Sequence, residues 1–139
     1  MSMETTAPHA TGYLLLFRNT NWDRNGFNED QIRQGMAKVT AWFERLAATG
    51  KVVGAQPLME DAVIISGKDG RSVTDGPFPE TKEAVGGYLQ LAVASMEEAV
   101  AIAKTNPMHE FGLTTEVRPT ASSCPAMYRM NREFAEAVV

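Results

Sequence analysis

One short segment of the chain concentrates residues that could do chemistry. Residues 75–83 read Asp-Gly-Pro-Phe-Pro-Glu-Thr-Lys-Glu. Asp, Gly and Pro together favour a turn, because Asp accepts hydrogen bonds from nearby amides, Gly permits positive φ and Pro restricts φ. Phe78 lies between two prolines, so its ring is oriented at little entropic cost. Glu80, Lys82 and Glu83 add three charges, which makes this segment the strongest candidate for a functional loop.

Two carboxylates and one guanidinium are the candidates for catalysis and anion binding. Asp75 or Glu83 could act as a general base if burial raises its pKa. Arg118 could hold a carboxylate or phosphate through two parallel hydrogen bonds. Each has a structural alternative: a turn-forming hydrogen bond for Asp75, and an ion pair with Glu116, Glu80 or Glu83 for Arg118.

Five further side chains complete the predicted ligand-binding set, which is Tyr88, Gln90, Phe78, Lys82 and Trp22. Tyr88 and Gln90 would line a cavity with hydroxyl and amide groups, and Phe78 would shape its rim. Lys82 is equally explained as part of a solvated turn. Trp22 lies within residues 19–28, an Asn-rich stretch predicted to be a loop. It would either cover the mouth of the cavity or act as a packing anchor.

Neither a metal site nor another cofactor is predicted. The chain has two histidines, His9 and His109, and one cysteine, Cys124. They do not match zinc-ligand spacing, and no glycine-rich phosphate loop is present. We expect a tail histidine, a loop histidine and an inert thiol at these positions.

Composition indicates one soluble globular domain. The chain has 139 residues, a formal net charge of −4 and 44% hydrophobic residues. Nucleic-acid binding needs clustered basic residues and a membrane span needs about 20 apolar ones, and the sequence shows neither. A single cysteine excludes an intramolecular disulfide, so we expect a cytoplasmic protein.

The first strand and the first helix have clear sequence signals. Tyr13–Phe17 is a continuous apolar run, typical of a central strand buried on both faces. Asn28 and Gln31 form a near capping box, and Gly50 ends the helix that follows. The apolar stripe predicted to pack this helix into the core is Ile32, Met36, Val39, Phe43 and Leu46.

The remaining patterns complete an α+β fold. Strands are predicted at residues 51–58, 62–66, 71–74, 87–93 and 113–118, and helices at 96–105 and from Pro125 onward. Residues 67–70 form the turn of a hairpin, and Pro119 closes the last strand. Without the hairpin the order is β-α-β-β-α-β, a ferredoxin-like arrangement with both helices on one face of an antiparallel sheet.

The other face of this sheet is predicted to be partly polar. Strand alternation places Tyr88, Gln90, Glu116 and Arg118 away from the helices. Such a face could meet a second copy across a two-fold axis and leave a cavity between the sheets. We therefore predict a homodimer that binds a small anionic or carbonyl-bearing organic molecule in this cleft.

Four motifs together resemble the YCII-related family, specifically its DGPF branch. They are Asp-Gly-Pro-Phe at 75–78, Glu-x-Lys-Glu at 80–83, Gly-Gly-Tyr at 86–88 and Glu-Val-Arg-Pro at 116–119. The resemblance spans Gly12 to Thr120 and implies that the ferredoxin-like fold pairs as a dimeric α+β barrel. We predict a flexible leader over residues 1–11, the family domain over 12–120 and a helical extension over 121–139.

The resemblance also implies two alternative functions. Some relatives have been proposed to be enzymes with a His–Asp pair. Neither histidine of this chain lies directly after the first strand, where a cleft histidine would be expected. Only Asp75 and Arg118 are therefore carried over as candidates. One alternative is a cofactor-free isomerase, lyase or oxygenase that uses a cleft carboxylate as base. The other is a protein-interaction module in transcriptional regulation, with residues 121–139 as its contact surface.

Overall fold

Strands and helices follow one another along the chain in the order that the sequence predicts. A computed structural model describes residues 6–76 and 84–138, with side chains in the last helix described through residue 133. The strands are β1 (Ala10–Arg18), β2 (Val52–Pro57), β3 (Val63–Ser66), β4 (Ser72–Asp75), β5 (Val85–Leu91) and β6 (Thr114–Ala121). The helices are α1 (Glu29–Ala48), α2 (Met96–Lys104) and α3 (Pro125–Val138).

Four strands form an antiparallel sheet in the order β2-β5-β1-β6. With the β3–β4 hairpin set aside, this is the ferredoxin-like order, so the predicted α+β fold is confirmed. The apolar run in β1 is buried on one face only. Leu15 is fully buried, whereas Leu14 and Leu16 are half-buried on the face away from the helices. The prediction that both faces are buried is wrong for the single chain, because Leu14 and Leu16 remain partly exposed.

The hydrophobic core lies between the sheet and the two helices α1 and α2. The core side chains are Tyr13, Leu15, Leu89 and Leu91 from the sheet, and Trp42, Leu46, Ala99 and Ala103 from the helices. Each leucine buried this completely contributes about 1.5–3 kcal/mol relative to an exposed one.

Helix α1 begins and ends where its signals predict, but its buried face differs from the prediction. Asn28 and Gln31 form the capping box through two hydrogen bonds of 2.9 Å. Gly50 follows the helix with φ of +76°. Met36 and Phe43 are exposed and thus wrongly assigned to the core. Trp42 is buried in place of Phe43, because it packs over the sheet.

Helix α2 begins after a serine cap. The Ser95 hydroxyl accepts a hydrogen bond from the Glu98 amide at 3.1 Å. The Glu98 carboxylate in turn accepts hydrogen bonds from Lys51 Nζ at 2.9 Å and from the Ala94 amide at 3.3 Å. The Lys51 hydrogen bond, with that amide, holds the pKa of the Glu98 carboxyl below its usual range. This link joins the start of α2 to the residue before β2.

The β3–β4 hairpin forms a two-stranded sheet of its own. Val63 pairs with Asp75 at its open end, and Asp69 adopts a positive φ of 60° in its turn. All of its strand residues are exposed. The exposed apolar side chains on these strands are Val63, Ile64, Ile65 and Val73.

Strand β6 pairs with β1 along its whole length and brings the region around residue 121 next to residues 9 and 10. Pro119 does not close this strand as predicted; it lies within β6 and pairs with Tyr13. An edge strand tolerates proline because one side of its backbone has no partner strand. Ala10 pairs with Ala121, and the Ser122 amide donates to the His9 carbonyl at 2.9 Å. Among the residues that the structure describes, no helix is long and apolar enough to span a membrane.

Candidate functional site

A cavity of about 970 Å³ lies between α1 and the helix-covered face of the sheet. Its inner walls are apolar and come from α1 and three strands: Val39, Trp42, Phe43, Phe17, Ala55 and Leu89. The half-buried segment 19–22 and the exposed segment 58–62 also line the cavity, and their contact with solvent places them at its mouth. This cavity was not predicted from the sequence, although Trp22 and Tyr88 of the predicted ligand-binding set are among its lining residues.

Trp42 gives the cavity a rigid aromatic wall. Its indole Nε1 donates to Thr105 Oγ1 at 2.8 Å, and this hydroxyl donates to the Ile102 carbonyl at 2.6 Å. Asn106, which also lines the cavity, is 5% exposed, and its side-chain oxygen accepts from the Met108 amide at 2.9 Å. Because their partners hold them in one orientation, these walls are formed before any ligand arrives.

Trp22 lines this cavity and is also a packing anchor, as one of its two alternatives predicted, while its predicted place at the mouth of the inter-sheet cleft stays a prediction. Its ring meets Phe111 edge-on, with the ring centres 5.9 Å apart. Phe111 is buried and makes a second edge-on contact with Phe27 at 4.7 Å. Gly35 on α1 permits this packing, since a Cβ there would lie 2.9 Å from the Phe111 ring.

Hydrogen bonds tie the mouth segment after β1 to the turn before β6. Asn19 has a positive φ of 56°, and its side chain donates to the Gly112 carbonyl at 2.8 Å. Asn25 donates to the Phe111 carbonyl at 2.9 Å. The asparagines that predicted only a loop therefore hold that loop in place beside the cavity.

The mouth also carries two carboxylates that were not predicted from the sequence. Glu60 and Asp61 lie in the segment between β2 and β3 and line the cavity. Arg24, in the helical turn 22–24, places Nη1 3.6 Å from Glu60 Oε1. This ion pair links the two segments that surround the mouth. The adjacent acidic residues after Pro57 were the available sequence signal.

Three of the predicted ligand-binding residues lie together on the open face of the sheet. Leu14 pairs with Gln90 on one side and with Arg118 on the other. Leu16, two residues further along β1 and on the same face, pairs with Tyr88. The predicted grouping of Tyr88, Gln90 and Arg118 on one sheet face is confirmed.

Glu116 connects the charged groups of this open face. Its carboxylate forms an ion pair with Arg18, and its second oxygen lies 3.8 Å from Arg118 Nη1. The Arg118 side chain is 67% exposed, so this longer contact constrains it weakly. The structural alternative for Arg118 is thus present in the single chain, and its predicted ligand role stays a prediction.

Asp75, another predicted site residue, is not part of this group. Asp75 is exposed on β4, in the separate hairpin sheet, and the next amide, of Gly76, donates to the Ala62 carbonyl at 2.6 Å. Phe78, Lys82 and Glu83 lie outside the described residues. A catalytic role for Asp75 or Glu83 therefore stays a prediction.

The histidines and the cysteine are in separate places. His109 Nε2 lies 3.0 Å from Thr115 Oγ1, and His9 Nδ1 lies 3.2 Å from Ser122 Oγ. Cys124 is exposed. Across residues 6–76 and 84–138, no group of three or more His, Cys, Asp or Glu side chains is placed to hold a metal ion.

Comparisons with known proteins identify a family. The family model for the YCII-related domain matches residues 13–121. Among solved structures, the chain is similar to 5-chloro-2-hydroxyhydroquinone dehydrochlorinase from Burkholderia phenoliruptrix AC1100, in complex with 2,5-dihydroxybenzoquinone. The identity is 19%, the TM-score is 0.42, and the match covers 78% of this chain and 92% of that one. No curated protein sequence gave a significant match.

Proposed function

The chain belongs to the YCII-related family, and we propose that its role is to bind a small organic molecule in the cavity beneath α1. The observation that carries this proposal is the cavity itself. Its volume of about 970 Å³ is in the range of small-molecule sites, which are commonly about 300–1,000 Å³. Its walls are mainly apolar, with polar groups near the mouth, which is the usual composition of such sites.

The rigidity of the walls supports the same proposal. Trp42 is held by Thr105, and Trp22 is held by Phe111. A ligand that enters a preformed cavity does not have to order these side chains, so less of its binding energy is lost. Two tryptophans on the wall also make binding observable by fluorescence.

A thermal-shift screen of small aromatic compounds tests this proposal with two matched variants. Ala55→Phe places a ring where Ala55 lines the cavity, whereas Val53→Phe adds the same ring at an exposed position of the same strand. A hit at 100 times its Kd should stabilise the parent by about 2.7 kcal/mol. We expect Ala55→Phe to lose the hits and Val53→Phe to keep them. Hits that survive Ala55→Phe unchanged would place the ligand elsewhere.

The open sheet face supports a second candidate, a homodimer that binds an anionic molecule between facing sheets. The half-buried Leu14 and Leu16 would contact the second copy, while Arg118, Tyr88 and Gln90 would contact the ligand. Mixed apolar and polar faces of this kind suit an interface that retains a cavity.

Two measurements test the second candidate separately. Light scattering at micromolar concentration should give the mass of a dimer, and a monomeric mass would contradict it. Arg118→Ala should abolish stabilisation by carboxylate ligands, whereas Arg71→Ala, which removes an exposed arginine from the hairpin turn, should not. Equal effects of the two substitutions would remove Arg118 from the proposed site.

A further inference from the structure

The charges at the mouth of the cavity disfavour one class of ligand, namely anions. Among the described residues that line the cavity, the charged ones are Glu60 and Asp61, and both are acidic. The remaining polar lining residues are neutral, such as Asn19, Gln56 and Asn106. An anion that enters the cavity must therefore pass two carboxylates, and no lysine or arginine among the described lining residues compensates for them.

Arg24 offsets only part of this negative charge. Its guanidinium lies 3.6 Å from Glu60, and both side chains are substantially exposed. Asp61 has no ion-pair partner among the residues that the structure describes. The three groups together leave a net charge of about −1 beside the opening.

The inner walls favour the same kind of ligand. Phe17, Trp22, Trp42 and Phe43 present aromatic rings, and Met108 adds an adaptable thioether. Aromatic faces attract cations through their quadrupole, with tryptophan the strongest, and they stack with flat rings. A cavity with such walls and an acidic mouth is complementary to a ring that carries a positive charge at one end.

We propose that the ligand of this cavity is a flat aromatic molecule with a cationic or neutral polar group, and that its anionic counterpart binds about tenfold more weakly than the cation. This proposal rests on the function proposed above and gives the chemical class of the ligand. A net charge of about −1 beside the opening attracts a cation and repels an anion even in bulk water, so exchanging one for the other should change Kd about tenfold, or about 1.4 kcal/mol.

Three compounds of nearly equal shape test the charge preference. They are 2-naphthylmethylammonium, 2-naphthylmethanol and 2-naphthoate, and their Kd values are measured by isothermal titration calorimetry. At about 10 mM salt the Debye length is about 30 Å, and we expect the ammonium to bind about tenfold more tightly than the carboxylate, with the alcohol between them. At about 1 M salt the Debye length is about 3 Å, so this ratio should fall below about threefold.

Matched variants connect the preference to the mouth. The double variant Glu60→Gln with Asp61→Asn should reduce the ratio to about threefold or less, like high salt. Glu44→Gln with Glu133→Gln makes the same change in net charge at exposed positions on α1 and α3, and should keep the parent ratio. Because the parent's salt dependence needs no variant, the test stands even if a substitution impairs folding.

Each outcome bears on a different proposal. A carboxylate that binds as tightly as the ammonium, or a ratio that the mouth variant leaves unchanged, overturns the charge preference. If 2-naphthylmethanol still binds and Ala55→Phe removes it, the proposed function survives that result. If none of the three compounds binds, the ligand class is wrong, and if the wider screen also has no hits sensitive to Ala55→Phe, the proposed function fails as well.

Discussion

Substitution of Gly86 by alanine should destabilise the chain through one specific contact. A Cβ at this position in β5 would overlap Thr20 Oγ1 and lie 2.7 Å from both Cβ and Cγ2 of Thr20. Thr20 belongs to the segment that surrounds the mouth of the cavity. Rotation of its side chain would relieve the contacts with Oγ1 and Cγ2 but not the contact with Cβ, so the backbone must move.

A second glycine of the same sheet gives a matched control. A Cβ added to Gly54 in β2 would have no atom within 4 Å, and neither glycine has a positive φ. Gly54→Ala should be neutral or stabilise by about 0.4–1 kcal/mol, through the lower entropy of the unfolded chain. The same gain applies to Gly86→Ala, so the difference between the two isolates the overlap, which should cost about 1–3 kcal/mol.

Urea unfolding of both variants, followed by far-UV circular dichroism, gives these free energies. In a double-mutant cycle with Gly86→Ala, Thr20→Gly should recover most of the loss, whereas Thr20→Ala, which keeps Cβ, should recover little. Equal stabilities of Gly86→Ala and Gly54→Ala would refute the close approach of the two segments. Equal rescue by Thr20→Gly and Thr20→Ala would also refute this close approach.

Three further predictions concern the core, a helix cap and pH. Leu89→Ala should lower the free energy of unfolding by about 2–5 kcal/mol, while Gln90→Ala on the open face should change it by less than about 0.5 kcal/mol in the monomer, both measured by urea unfolding. Asn28→Ala should cost about 1 kcal/mol, because one amide of α1 loses its acceptor, and a cost near zero would contradict the capping box. Because Lys51 lowers the pKa of Glu98, this carboxylate stabilises the fold above the usual glutamate pKa. That stabilisation is lost as pH falls through the lowered pKa, so Glu98→Gln should flatten the acid side of the stability profile, and an unchanged profile would disprove the link.

The elements that carry their own local signals could be predicted from the sequence. The start of α1 follows from Asn28 and Gln31, because a capping box needs only residues three apart. The grouping of Tyr88 and Gln90 on one side of β5 follows from strand alternation in the same way.

The parts of the structure that depend on contacts between distant residues could not be predicted from the sequence. The helical spacing of α1 allows more than one apolar face, and the choice of Trp42 over Phe43 depends on packing over the sheet. The cavity joins segments near residues 20, 42, 60 and 87, which no local pattern relates to one another. Its acidic residues are visible in the sequence, but their position at a mouth is not.

The position of β1 between two late strands determines when its apolar residues find their partners during synthesis. Leu15 pairs with Leu89 on one side and Val117 on the other. Its neighbours in the sheet therefore emerge from the ribosome long after β1 itself, and no earlier strand can bond to it in the native order. During that interval Tyr13–Phe17 is an exposed apolar segment of the kind that chaperones bind. The time needed to translate the residues between β1 and β5 therefore determines how long the nascent chain depends on chaperones to cover this segment.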